Sequence, residues 1–153
     1  MRGMKCRSCN SELQHTLVDL GVAPLSNSYL SAGECQTVEP YYPLKVLLCT
    51  ECWLVQLPIS VMPEDIFNDY AYYSSFSESW LQHARGYVEE MVWTFGIDQS
   101  HYVIELASND GYLLQYFVQR GIPVLGIEPA ANTARVATRK GIPTLVTFFG
   151  TET

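Results

Sequence analysis

The chain has 153 residues and a mass of 17.3 kDa, enough for one ordinary domain or two small ones. Nine basic residues against sixteen acidic ones leave a formal charge of −7, which argues against a nucleic-acid-binding surface, because a phosphate backbone needs a basic stripe. Apolar residues make up 48%, yet no run of about 18 of them could span a membrane, and ten Gly and eight Pro exclude a collagenous or low-complexity chain.

The N-terminal residues include Arg2 and Lys5 but have no apolar stretch behind them, so they do not read as a secretory leader. A reducing, cytoplasmic setting is therefore expected, and it bears on the five cysteines. Four of them form two pairs, Cys6-Arg7-Ser8-Cys9 and Cys49-Thr50-Glu51-Cys52. A two-residue spacer lets the chain turn so that both sulfurs of a pair face one ion, and two pairs supply the four thiolates of a tetrahedral Zn²⁺ site. Cys6, Cys9, Cys49 and Cys52 are thus the candidate zinc ligands. Disulfides, redox-active pairs and unliganded core thiols are the alternatives, and neither pair sits at a helix start after a strand, as a redox pair would. Cys35, in a turn-like stretch, reads as an incidental free thiol. Residues 10–48 separate the pairs, a longer gap than the usual 15–20, so that stretch must hold structure of its own.

Residues 1–62 read as a zinc-binding module of ribbon type. A strand over 43–48 runs into the second knuckle, and one over 53–57 leaves it, ended by Pro58. A module this small has little core, so the metal supplies folding energy.

Residues 63–96 read as an aromatic linker and a helix. The linker, 63–76, holds three Tyr and two Phe, which suits packing on a neighbouring domain or lining a pocket. Ser75-Phe76-Ser77-Glu78 has the form of a capping box. The helix predicted after it runs to about Phe95, with Trp80, Leu81, Ala84, Tyr87, Val88, Met91 and Val92 at three- and four-residue spacing and Gly96 just past its end.

Residues 97–153 alternate strand and helix. Strands are predicted over 102–106, 124–128 and 144–149. Helices are predicted after Gly111, stopped by Gly121, and over 130–140, opened by Pro129 and stopped by Gly141. Gly-Ile-Pro recurs at 121–123 and 141–143, each time between a helix and a strand. Such alternation predicts a parallel sheet in an α/β fold.

In a doubly wound sheet, ligands bind at the carboxyl ends of the strands, beside the first strand-to-helix turn. That turn is Glu105-Leu106-Ala107-Ser108-Asn109-Asp110-Gly111. Small residues there let backbone approach a ligand, and the absence of Gly-x-Gly-x-x-Gly argues against a dinucleotide and an NAD-dependent oxidoreductase. Glu128, about 20 positions further on, is placed to accept hydrogen bonds from ribose hydroxyls. Together these features point to S-adenosylmethionine. Alone, Glu128 reads equally as a solvated strand-end carboxylate and Asp110 as a helix N-cap, while the register of Glu105 stays open.

The whole chain, from Cys6 to about Phe149, resembles the N-terminal part of the zinc-containing sugar C-methyltransferases, which use S-adenosylmethionine to methylate a carbon of nucleotide-linked deoxysugars. The resemblance is carried by Cys6-x-x-Cys9, Leu20-Gly21-x-x-Pro24-Leu25-Ser26-Asn27, Cys49-x-x-Cys52, Tyr72-Tyr73-Ser74-Ser75-x-Ser77, the run from Glu105 to Leu114, and Gly126-Ile127-Glu128-Pro129-Ala130. It implies an N-terminal zinc-ribbon-like module followed by the first half of a Rossmann-like S-adenosylmethionine methyltransferase fold. It further implies that Tyr72, Tyr73 and Ser75 flank the cofactor or the sugar, alongside Glu105, Ala107, Ser108, Asn109, Asp110, Gly111, Glu128 and Pro129. Interdomain packing and a helix cap are the plainer readings of the tyrosines and Ser75. The resemblance places the catalytic residues beyond residue 153. No catalytic role falls to His15, His83 or His101, and the expected partners are a nucleotide-sugar and a complementing C-terminal fragment that would cover an otherwise bare apolar edge strand. The alternative is a stand-alone zinc-ribbon interaction module with a degenerate nucleoside-binding half-domain.

Overall fold

The computed structural model describes residues 4–58, 61–67 and 69–153, which form two compact units, Met1–Pro63 and Glu64–Thr153. Met1 to Gly3 of the segment read against a leader, Ile59 and Ser60 of the 1–62 module, and Asn68 of the aromatic stretch lie outside the described residues. Among the described residues, no helix is long and apolar enough to cross a membrane.

The first unit is built on an antiparallel sheet in the order β1-β2-β3, made of β1 (His15–Ala23), β2 (Tyr42–Leu48) and β3 (Val55–Gln56). β2 enters the second cysteine pair and β3 leaves it. β3 is shorter than the predicted 53–57 because Trp53 takes left-handed backbone (φ 63°) to close the knuckle, and the Leu54 carbonyl accepts the Cys49 N–H. β1 fills part of the long gap between the pairs. No alternation announces it, because register shifts between Thr16 and Val18 and between Asp19 and Val22 break its period of two. Little apolar surface is buried here. Cys6, Leu47 and Cys49 are covered, together with Gln56, whereas Leu17, Leu20 and Val22 of β1 are exposed.

In the second unit, α1 (Pro63–Phe67) begins at the last residue of the first unit. A 3-10 turn (Ser74–Phe76) and α2 (Glu78–Phe95) follow, and then the alternation β4 (Val103–Leu106), α3 (Leu114–Val118), β5 (Val124–Ile127), α4 (Ala131–Arg139) and β6 (Thr144–Leu145). The three strands are parallel, in the order β4-β5-β6, as the alternation predicts. Val88 of α2, Leu114 and Phe117 of α3, Ile122, Val124, Ala137 and Ile142 form the core. β4 is an edge strand, and Ile104 and Leu106 on its open face are 54% and 48% exposed.

In the second unit the start of α2, the start of α4 and the end of β6 differ from expectation, each for a local reason. The N-cap of α2 is Ser77, whose hydroxyl accepts the Trp80 N–H at 3.3 Å, two residues later than a box opening at Ser75. Ser75 is unavailable as a cap because its hydroxyl is bonded to Asp110. α4 starts at Ala131, since Ala130 keeps extended backbone and gives its N–H to the Glu128 carboxylate. β6 ends at Leu145, and Phe148 packs edge-on to Phe67 of α1 at 6.4 Å instead of extending the strand.

Gly111 has φ 75°, and a Cβ there would lie 2.3 Å from Ile142 Cδ1 in the core. Both the backbone conformation and the packing therefore require glycine. Gly111→Ala is expected to destabilise the chain by about 2–4 kcal/mol, measured by urea unfolding of the second unit.

Candidate metal centre and ligand cleft

The two cysteine knuckles of the first unit are built alike. Cys6 N–H donates to Ser11 O at 2.8 Å and Cys49 N–H to Leu54 O at 3.0 Å. Asn10 N–H returns to Cys6 O and Trp53 N–H to Cys49 O, both at 2.9 Å. Asn10 and Trp53, each following a second cysteine, share φ 63°. These bonds aim N–H groups and sulfurs inward, and the four Sγ atoms lie within 4.8 Å of one another.

Sulfurs at the corners of a tetrahedron about 2.3 Å from a zinc ion stand about 3.8 Å apart, whereas bonded sulfurs stand about 2.05 Å apart. Cys6 and Cys52 are 3.6 Å apart at Sγ, and Cys9 and Cys49 are 3.5 Å apart. The separations suit an ion held by four thiolates and do not suit two disulfides. All five cysteines are free, and Cys35 is exposed, its thiol donating to Ser31 O.

The electrostatics point the same way. Backbone N–H of Cys9 and the side chain of Gln56 lower the Cys6 thiol to about 6. The Ser11 hydroxyl lowers Cys9. A hydrogen bond from Leu54 N–H favours the Cys52 thiolate, but burial and the sulfurs of Cys9, Cys6 and Cys49 together push it up to about 12. The first thiolates form readily and then oppose the last, a repulsion that a dication at the centre removes. The cluster is a zinc-binding set.

Gln56 is a participant the sequence reading missed. It is buried, accepts Arg7 N–H at 3.1 Å and donates Nε2–H to Cys6 Sγ at 3.2 Å, so it orients a metal ligand. Its only sequence signal is a polar residue at an inward strand position.

In the second unit a cleft of about 550 Å³ opens at the carboxyl ends of β4 and β5. Leu106, Ala107 and Ile127 lie beside Glu128 and Pro129 in its lining, with Tyr70 and Tyr72 from the aromatic stretch and Phe148 beyond β6. Of the expected ligand residues, Tyr72, Ala107, Asn109, Glu128 and Pro129 border it.

Glu128 is only 4% exposed, so it is not a solvated strand-end carboxylate. Its Oε2 accepts Asn109 N–H at 2.8 Å and its Oε1 accepts Ala130 N–H at 2.9 Å. Each oxygen keeps a second lone pair for a ligand hydroxyl. Ala107 (φ 58°) and Asn109 (φ 49°) hold left-handed backbone in the turn, a conformation that costs energy for residues with a Cβ. The carboxylate helps to hold it.

Tyr73, Ser75, Glu105, Ser108, Asp110 and Gly111 lie outside the cleft lining. Asp110 is 1% exposed, and it is not the N-cap of α3, which is Leu113. Its carboxylate instead takes the Ser75 N–H and hydroxyl and the Lys140 ammonium, the last at 3.1 Å. Tyr73 accepts a hydrogen bond at its hydroxyl from Asn132. Ser108 is fully buried against Gly126, and Gly111 packs on Ile142. Glu105 alternates with the cleft-lining Leu106 along β4, which turns it to the other face of the sheet. There its Oε2 is buried without a partner among the described residues, and burial, then the charges of Glu128 and Asp110, push its carboxyl up to about 8.

Residues 6–67 match the Methyltransf_13 family model of a zinc binding domain. Over 148 residues, 97% of its length, the chain is 34% identical to the C-methyltransferase NovU of Streptomyces niveus. The chain spans 35% of the length of that relative.

Metal analysis is expected to find one zinc per chain, and Cys49→Ser to lose the ion together with the β1–β3 sheet. Gln56→Leu should retain zinc but release it about 10–100-fold more readily in chelator competition. For Glu105, the folded state keeps a proton that the unfolded chain gives up near the ordinary carboxyl value. The group therefore favours folding fully below about pH 4.5, and that contribution is lost as pH rises to about 8. Glu105→Gln is expected to flatten the stability profile in that window by up to about 1.4 kcal/mol per pH unit, read from urea unfolding across pH.

Proposed function

We propose that the chain is the metal-bearing and cofactor-cleft portion of a C-methyltransferase that uses S-adenosylmethionine, as its match to a zinc-binding domain model and its similarity to a C-methyltransferase support. The observation that carries the reading is the cleft at the carboxyl ends of parallel strands β4 and β5, with the Glu128 carboxylate held in its lining by two backbone N–H groups. A Rossmann-like half-domain binds nucleosides at that position, and a cavity of this size suits a ligand of that class. Glu128 takes the ribose hydroxyls on its free lone pairs. The aromatic stretch closes over the ligand and excludes water. S-adenosylmethionine, when bound, supplies an electrophilic methyl group.

The acceptor in this reading is a carbon of a nucleotide-linked deoxysugar. Methylating such a carbon needs a base to create the nucleophile. Among the described residues the cleft lining contains no histidine; His83 stacks on Trp80 and His101 pairs with Asp98. We assign the base to polypeptide corresponding to the part of the relative outside the aligned 148 residues. The bare edge of β4, with Ile104 and Leu106 exposed, is where that polypeptide adds to the sheet. The chain alone then binds cofactor without turning over. A reducing compartment such as the cytoplasm, where free thiols persist, belongs to this reading.

Calorimetry of the zinc-loaded chain with S-adenosylhomocysteine is expected to show saturable binding, weakened at least about tenfold by Glu128→Gln. A folded, zinc-loaded chain that does not bind it would leave the other reading, a zinc-ribbon interaction module beside a degenerate half-domain.

A further inference from the structure

The aromatic wall of the cleft is fastened to the α/β body by side chains that imitate a neighbouring strand. Asn109 accepts the Ser74 N–H at its Oδ1 (2.9 Å) and donates its Nδ2–H to Tyr72 O (3.1 Å). One amide thus bridges the groups on either side of Tyr73, as a residue of a parallel strand does. Asn132, the second residue of α4, accepts the Tyr70 N–H at 3.1 Å and donates to Tyr70 O at 2.8 Å, the two-point pattern of an antiparallel pair. The same Nδ2 also donates to the Tyr73 hydroxyl at 3.1 Å. Tyr70, Tyr72 and Ser74 border the cleft, while Asn132 does not.

We propose that Asn132 is a positioning residue for the cleft, setting the place of the Tyr70–Ser74 wall and, through it, the affinity for the ligand. The affinity half rests on the nucleoside-cofactor reading above; the wall half does not. Asn132 reaches both the main chain of Tyr70 and the side chain of Tyr73, so it fixes the start of the segment whose far end Asn109 holds. Its own position is set by the start of α4, where Ala130 N–H is tied to Glu128. The carboxylate in the cleft and the wall across from it are therefore registered through one helix turn. Aspartate in place of Asn132 keeps an acceptor for Tyr70 N–H but has no donor for Tyr70 O or the Tyr73 hydroxyl.

The test uses the full zinc-loaded chain with Asn132→Ala and Asn132→Asp. Amide hydrogen exchange is followed at Ser74, which Asn132 does not touch, and at Val103 and Gly126 in the sheet. Binding of S-adenosylhomocysteine is measured in parallel by calorimetry. Ser74 exchange is expected to quicken about tenfold, and the Kd to rise about tenfold, with Val103 and Gly126 protected as in the unaltered chain. Tyr73→Phe, which removes only the hydroxyl acceptor, should shift both in the same direction by less. Unchanged Ser74 exchange overturns the proposal, as does faster exchange with an unchanged Kd. Equal loss of protection in the sheet marks a general stabiliser and also overturns it. If the unaltered chain does not bind the probe, the cofactor reading fails, and the affinity half fails with it. Exchange at Ser74 then decides the wall half alone.

Discussion

The Glu128 carboxylate joins two turns that the parallel sheet leaves apart. One oxygen holds the N–H of Asn109, in the turn after β4, and the other holds the N–H of Ala130, at the start of α4. A buried carboxylate without such donors would be costly, and here the cost is offset by two charge-assisted hydrogen bonds. With Asn109 held at positive φ, its amide is aimed at Tyr72 and Ser74, and with α4 begun at Ala131, Asn132 meets Tyr70. The floor and the wall of the cleft are thus consequences of one side chain.

The two units are stabilised by different physics. The second has a continuous apolar core in which α2, α3 and the region after α4 meet the sheet. The first buries few side chains, two of which are metal-ligand cysteines, and leaves most of β1 in solvent. Hydrophobic burial cannot account for its order, so the ion and the paired knuckle hydrogen bonds take that part.

What could be read from the sequence follows from how local each constraint is. The cysteine set was legible because a two-residue spacer is itself the geometric requirement for two sulfurs to face one ion. The strand and helix alternation after Val103 was legible because each helix is stopped by a glycine, Gly121 or Gly141, and the strand after it begins just past a proline, Pro123 or Pro143. β1 was not, since its bulges erase the two-residue period. Ser75 looked like a helix cap and Asp110 like a cap or a ligand, but each found the other, 35 residues away, along with Lys140. Asn132 gave no signal at all, because its partners are main-chain atoms and a hydroxyl about 60 residues distant, and an amide that pairs with backbone leaves no pattern of residue types.

The two knuckles also make the metal a cross-link between distant parts of the chain. Residues 10–48 lie between the ligand pairs, so the ion closes a long loop in which β1 is embedded. The entropy of closing a flexible loop rises only logarithmically with its length, by about 0.6 kcal/mol for each doubling. Lengthening the turn between β1 and β2 therefore costs little, whereas adding one residue inside Cys6–Cys9 or Cys49–Cys52 changes the bite of the chelate itself. Within this unit, the connection between the first two strands is the place where length is free to vary.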